Sequence, residues 1–144
     1  MKGMVIEMIK NLIRSKKAEG YIDTVVFVLI SVMVISLTVN VFSFLTVKQD
    51  LDYFARELIK SAATSGTTTG VVETRYSELA SETGLYPEVS WEADYYNTSE
   101  LTVQYGETIT ITLTMHTTMK GFGVFEIPVT LTAKQSGLSM KYRK

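Results

Sequence analysis

From Thr24 to Val47 the chain reads TVVFVLISVMVISLTVNVFSFLTV, 24 residues without a charge. As an α-helix rising about 1.5 Å per residue, this run covers about 36 Å, enough to cross a hydrocarbon core of about 30 Å with room for tilt. Valine and isoleucine dominate it and in water would favour a strand, but in lipid only a helix satisfies its own backbone. A helix apolar on every side can also be the core of a soluble protein, yet a chain of 144 residues has too few others to surround this one. The run therefore predicts one transmembrane helix within residues 21–47.

Ahead of it, Met4, Val5, Met8, Ile9, Leu12 and Ile13 recur at helical spacing. This is an amphipathic face suited to the headgroup region, and the competing reading is a frayed basic tail. The long apolar run starts late and no small-x-small site follows it closely, so the expectation is a retained anchor and not a removable secretory leader.

Beyond Val47 the apolar positions thin to a stripe: Leu51, Phe54, Ala55, Leu58, Ile59 and Ala62 lie at steps of three and four for three turns. The stripe continues the span without a break. On its other face Lys48 with Asp52, and Asp52 with Arg56, stand four apart and predict ion pairs worth a few tenths of a kcal/mol. Gly66 reads as the helix stop, Thr67, Thr68, Thr69 and Gly70 as loop. A second helix is expected from about Val71 to Thr83, with Val72, Tyr76, Leu79 and Ala80 on one face and Gly84 closing its end.

From Glu88 the period falls to two. Val89, Trp91, Ala93 and Tyr95 alternate with polar neighbours, then Leu101, Val103 and Tyr105, then Ile109, Ile111, Leu113 and Met115 with threonines between them. The second and third of these runs could form one strand bent at Gly106. A last strand, Glu126 to Lys134, sets Ile127, Val129, Leu131 and Ala133 against Pro128, Thr130 and Thr132, and Pro128, which lacks a ladder donor, either places it at a sheet edge or faces outward from the ladder. Met119 to Gly123 reads as the connecting turn and Leu138 to Lys144 as a solvated tail. The predicted fold is α+β: a long N-terminal transmembrane helix continuing into an amphipathic helix packed on a small antiparallel sheet of three or four strands. Three segments follow, namely 1–20 (basic, cytoplasmic), 21–47 (transmembrane helix) and 48–144 (extracytoplasmic domain). The predicted core of the last comprises Leu51, Phe54, Leu58, Ile59, Trp91, Ile111, Leu113, Val129 and Leu131.

Charge adds direction. The net charge is only −1, which gives no basic footprint for nucleic acid. Residues 1–20 nevertheless carry five basic against two acidic groups, a net +3, and residues 46–144 carry nine against twelve, a net −3. With Arg14, Lys16 and Lys17 directly before the span, the positive-inside rule places the N-terminus in the cytoplasm and everything after Val47 outside.

Candidate chemistry is sparse. The chain has no cysteine, which excludes disulfides, thiol catalysis and cysteine-held metals. His116 is the single histidine and falls on the polar side of a strand. Glu88, Glu92 and Asp94 share a strand face without the loop geometry of a calcium site. Gly66 and Gly70 lack the lysine of a phosphate loop. Asn97-Thr98-Ser99 matches a glycosylation acceptor, a short pattern of high chance frequency. No catalytic, cofactor-binding or metal residue is expected, and the chain is not read as an enzyme. Two polar residues within the span remain. Asp23 either sits among headgroups or finds a cationic partner. Asn40 either bonds its own helix or hydrogen-bonds across to a neighbouring one, and Ser31, Ser36, Thr38 and Ser43 can bond back to their own carbonyls.

Taken together, a short basic segment ending in Gly20, then Tyr21, Asp23, an apolar run, a helix that emerges to cover a sheet, and a final strand reading IPVTLTAKQSG resemble the pilin-like superfamily. The nearest likeness within it is to the TadE-like group and related small membrane proteins encoded with conjugation or secretion machinery. The resemblance implies a membrane-anchored structural subunit of a pilus, secretion or conjugation apparatus. Its implied partners are membrane lipid, further copies or other pilin-like subunits, and assembly-machine proteins. It also implies peptidase processing between Gly20 and Tyr21; the family pattern expects a glutamate five residues after the cut, where this chain has Val25. Helix–helix contacts would centre on Asp23 and Asn40. The alternative expectation is a single-pass accessory or binding protein whose outer sheet domain never polymerises.

Overall fold

The computed structural model of the chain describes residues 2–14, 16–121 and 125–144. They form two compact units, Met1–Val41 and Phe42–Lys144. The elements in order are α1 (Lys2–Arg14), α2 (Lys16–Ser65), α3 (Val71–Thr83), β1 (Glu88–Ala93), β2 (Tyr95–Asn97), β3 (Thr102–Val103), β4 (Thr108–Gly121) and β5 (Phe125–Leu138).

The first unit holds α1 and the N-terminal part of α2. The sequence left α1 open between helix and frayed tail; it is helical, and its residues 2–11 are exposed. The side chains of Leu12, Ile13, Arg14, Lys16 and Lys17 lie outside those described, so the basic cluster before the span is not placed by the structure. From Gly20 to Val41 every residue is exposed except Ser31, Ser36 and Asn40, which are half-covered. Polar side chains in this stretch turn inward to their own helix: Thr24 Oγ1 donates to the Gly20 carbonyl at 2.8 Å, Ser31 Oγ to Phe27 at 2.8 Å and Thr38 Oγ1 to Val34 at 2.8 Å. Such back-bonding satisfies the hydroxyls without water.

The second unit contains the core. Leu51, Phe54, Ala55, Leu58, Ile59 and Ala62 of α2 are buried, as their spacing predicts, against Val72, Leu79 and Ala80 of α3 and against Ile109, Ile111, Leu113, Leu131 and Ala133 of the sheet. α2 stops at Ser65, and Gly84 closes α3 in the left-handed conformation. The main sheet is antiparallel in the order β1-β4-β5. Its in-pointing pairs run Leu113 opposite Ala133, Met115 opposite Leu131, Thr117 opposite Val129 and Met119 opposite Ile127. β5 lies at the sheet edge, which accommodates Pro128. A Cβ on Gly137 would sit 3.2 Å from Ile59 Cγ1 and 3.6 Å from Ala63 Cβ, so a larger residue there would press on Ile59 where β5 meets α2.

Several expectations need correction. The run from Val89 to Tyr96 is two strands, because the chain breaks at Asp94; β2 leaves the main sheet and pairs with β3 in a separate two-stranded sheet. Leu101–Tyr105 and Ile109–Met115 are accordingly not one bent strand. Gly106 takes φ +83° and turns the chain between two sheets. Met119, Lys120 and Gly121, expected in the turn, belong to β4, and the remaining turn residues Phe122 and Gly123 lie outside the described residues. Trp91 and Val129 pack on the core but stay half-covered, while Val89 and Ile127 are exposed. The Lys48–Asp52 pair forms at 2.8 Å, whereas no Asp52–Arg56 ion pair is present among the described residues.

The tail keeps its side chains at 138, 140–142 and 144 exposed, as expected, but its main chain and Ser139 are docked. Met140 N–H donates to the Ala63 carbonyl at 2.8 Å, Ser139 is buried with its hydroxyl on the Val103 carbonyl at 3.2 Å, and the Gln104 amide clasps the backbone of Arg143 from both sides at 2.7 and 2.8 Å. These four contacts use backbone groups that hydropathy patterning does not see.

Candidate functional site

β1 is one of the two edge strands of the main sheet, and β2 belongs to the small sheet. Beside them lies an open groove of about 450 Å³, lined by Leu58, Thr68, Thr69, Val72, Glu73, Tyr76, Ser77, Val89, Trp91, Tyr95 and Leu101. Its apolar wall continues the core: Trp91 packs against the core and is half-covered, and Val89, on the same face by strand alternation, is 36% exposed.

Two tyrosines shape it. Tyr76 stacks edge-on against Phe54, with ring centroids 5.2 Å apart at 63°, and its hydroxyl donates to the Pro87 carbonyl at 2.9 Å. Burial holds the Tyr76 phenol above its usual pKa, with nearby Tyr86 acting in the same direction. Tyr95 OH meets Thr68 Oγ1 at 3.2 Å. The rim is pinned by Thr68 N–H to the Leu101 carbonyl at 3.2 Å and Val103 N–H to the Gly66 carbonyl at 2.8 Å, which ties the α2–α3 loop to the small sheet. Leu101 adopts φ +48°, a strained conformation for a branched side chain, at the groove's edge.

The groove can hold an aromatic or aliphatic group with a few hydroxyls to orient it. Among the described residues no group of three or more His, Cys, Asp or Glu could hold a metal. A second hollow is lined in part by Glu57, Lys60 and Arg75. There Arg75 bridges Glu78 at 2.9 Å and Glu57 at 3.1 Å, and these hydrogen bonds raise its pKa further. The guanidinium fastens α3 to α2.

None of the sequence-predicted residues lines the groove. Gly20 is exposed and open, Tyr21 is 75% exposed, and Asp23 is exposed. Asn40 Nδ2 donates to the Ser36 carbonyl at 2.9 Å, so its amide is engaged within its own helix. Along that helix Asp23 and Asn40 are separated by about 25 Å and cannot form one site. His116 is exposed on the sheet with Nδ1 3.1 Å from Thr130 Oγ1. Asn97 Oδ1 accepts the Ser99 N–H at 2.9 Å, an Asx turn. The groove residues Tyr76, Trp91 and Tyr95 were visible in the sequence as inward-facing aromatics. That Tyr76 of α3 and Trp91 and Tyr95 of the strands converge on one groove is a tertiary fact that the periodicity of each segment does not carry.

Residues 28–144 match the protein family described as "Domain of unknown function (DUF4320)". The chain belongs to the DUF4320 family. No curated protein and no solved structure matches it. The DUF4320 match begins at Val28, inside the apolar run, and covers the whole second unit, including the groove and the β4–β5 hairpin.

Proposed function

We propose that this DUF4320 protein is a membrane-anchored, pilin-like structural subunit of a pilus, secretion or conjugation apparatus. The N-terminus lies in the cytoplasm, one helix crosses the membrane, and the second unit stands outside. One observation carries the reading: along a single 50-residue helix, the stripe from Leu51 to Ala62 is buried by its own chain while the apolar turns from Tyr21 to Val41 are bare. Twenty-one largely apolar residues left uncovered are untenable in water. Lipid supplies the cover while the subunit is anchored, and neighbouring helices supply it in an assembly.

The inward-bonded hydroxyls of Thr24, Ser31 and Thr38 support the lipid setting, and the charge split of +3 and −3 supports the orientation. The test is to extract the native assembly in mild detergent and image it. Ordered oligomers or fibres containing the chain support a structural subunit, and isolated single copies contradict it.

The groove favours a second reading, a single-pass accessory protein that docks an apolar segment of another envelope protein beside Trp91. Trp91 is the only tryptophan, so its emission reports directly on that site. A saturable shift on adding purified assembly components, lost in Val72→Glu, favours this reading over polymerisation.

A further inference from the structure

Three aromatic residues, Tyr76, Trp91 and Tyr95, line the groove, and each is half-covered where it packs on the core. The two phenols are engaged by the protein itself: Tyr76 OH donates to the Pro87 carbonyl at 2.9 Å, and Tyr95 OH shares a hydrogen bond with Thr68 Oγ1 at 3.2 Å. With their hydroxyls taken, these rings meet a guest chiefly as π surface. The remaining hydroxyls of the wall are engaged as well, Thr69 Oγ1 with Thr67 Oγ1 at 3.2 Å and Ser77 Oγ as donor to the Glu73 carbonyl at 3.1 Å. A guest that needs many hydrogen bonds, such as a sugar, is poorly matched by such a wall.

Glu73 is the one charged residue that lines the groove; no lysine, arginine or histidine does. It is exposed, and among the described residues it makes no ion pair. Arg75, two positions on, is already held by Glu57 and Glu78. The groove thus joins aromatic and aliphatic surface to a single uncompensated carboxylate, and a guest that matches both is cationic and apolar at once. A metal ion or a primary ammonium is strongly hydrated and would exchange that shell for one carboxylate. A quaternary ammonium has no N–H to satisfy and spreads its charge over methyl groups that rest favourably on ring faces.

We propose that the groove binds a small quaternary ammonium solute, a trimethylalkylammonium ion such as choline, with its methyl groups against Tyr76, Trp91 and Tyr95 and its charge toward Glu73. The volume of about 450 Å³ falls within the span of about 300–1,000 Å³ usual for small-molecule sites. Every lining residue belongs to the second unit, so the site does not depend on whether the helix of the first unit crosses a membrane. The apolar protein segment considered above would fill the same groove without using the carboxylate, and that difference separates the two occupants.

Trp91, the only tryptophan, reports on the site in the full chain solubilised in a maltoside detergent. Choline chloride is exchanged for sodium chloride at constant ionic strength, and a parallel titration uses dimethylbutanol, the neutral isostere with carbon in place of the charged nitrogen. Choline should change the Trp91 emission saturably, and the alcohol should bind about ten-fold more weakly. Glu73→Gln, at an exposed position, should weaken choline several-fold and leave the alcohol unchanged. Tyr95→Leu should weaken choline, whereas Tyr95→Phe, which keeps the ring, should retain it. Equal binding of choline and the alcohol, or choline binding untouched by both Glu73→Gln and Tyr95→Leu, overturns the cation site in favour of an apolar slot. The absence of any saturable change overturns it as well. A response to phosphatidylcholine vesicles with none to free choline makes the occupant a lipid, and also overturns the proposal.

Discussion

Gly66 and Lys141 pass so closely that a Cβ on the glycine would stand 2.5 Å from the Lys141 Cβ. Gly66 also adopts φ +66°, receives the Val103 N–H at its carbonyl and caps α2 through Ala62. One residue therefore joins the end of the long helix, the small sheet and the docked tail. Gly66→Ala should cost more than the 1–2 kcal/mol or so of a left-handed alanine, because the tail must also shift. Gly70→Ala, at φ +63° with nothing within 4 Å, should cost about 1 kcal/mol. Chemical denaturation of the two variants in the same detergent checks the difference, and equal losses would show that the tail does not press on Gly66.

Leu58 and Leu113 face each other's elements across the core and are fully buried. Truncating either to alanine should cost about 2–5 kcal/mol. Trp91→Ala should cost less than its size suggests, since one side of the ring already faces the open groove. A loss below about 0.5 kcal/mol at both leucines would mean that the helix stripe does not seal the sheet.

Tyr76 predicts an alkaline limb. Burial raises its pKa above the ordinary 10.0, so above pH 10 the unfolded chain loses the phenol proton before the folded one does. This contribution to stability is complete below pH 10 and falls as the pH rises toward the folded-state pKa. Tyr76→Phe should cost about 0.5–1.5 kcal/mol at neutral pH, through the lost bond to Pro87, and should flatten the alkaline decline. Melting curves from pH 8 to 11 compare the slopes.

Much of this architecture was readable because burial periodicity and glycine punctuation act locally. The stripe Leu51–Ala62, the stop at Gly66 and the bounds of α3 all follow from them. What escaped the pattern was decided between distant segments. Alternation at Val89–Tyr96 could not reveal that Asp94 hands the chain from one sheet to another. The tail reads as solvated because its anchors are main-chain groups and the buried Ser139. Ile127 alternates correctly for a core residue, yet whether an inward-pointing side chain is covered depends on how far its neighbours extend. The groove beside Trp91 likewise depends on how α2, α3, β1 and β2 converge, which no single segment's periodicity carries.

Asn40 offers a sharper test of the lower helix than Asp23. With its amide engaged by Ser36, Asn40→Leu should leave membrane insertion intact and weaken helix association only as far as its remaining carbonyl oxygen serves a neighbour, about 0.6–2 kcal/mol. Asp23→Ala should alter association only if that carboxylate meets a cation on another chain. Crosslinking yields of the two variants, read against the parent, separate these roles.

In the proposed subunit the bare turns of α2 are covered by the same turns of neighbouring subunits. Single cysteines at Val25, Phe27, Val32 and Val39, all exposed positions, can be oxidised in native membranes at native expression, with no endogenous thiol to confuse the result. Disulfide-linked dimers are expected at a subset of these positions, recurring with helical period. An absence of dimers at every position would contradict that packing.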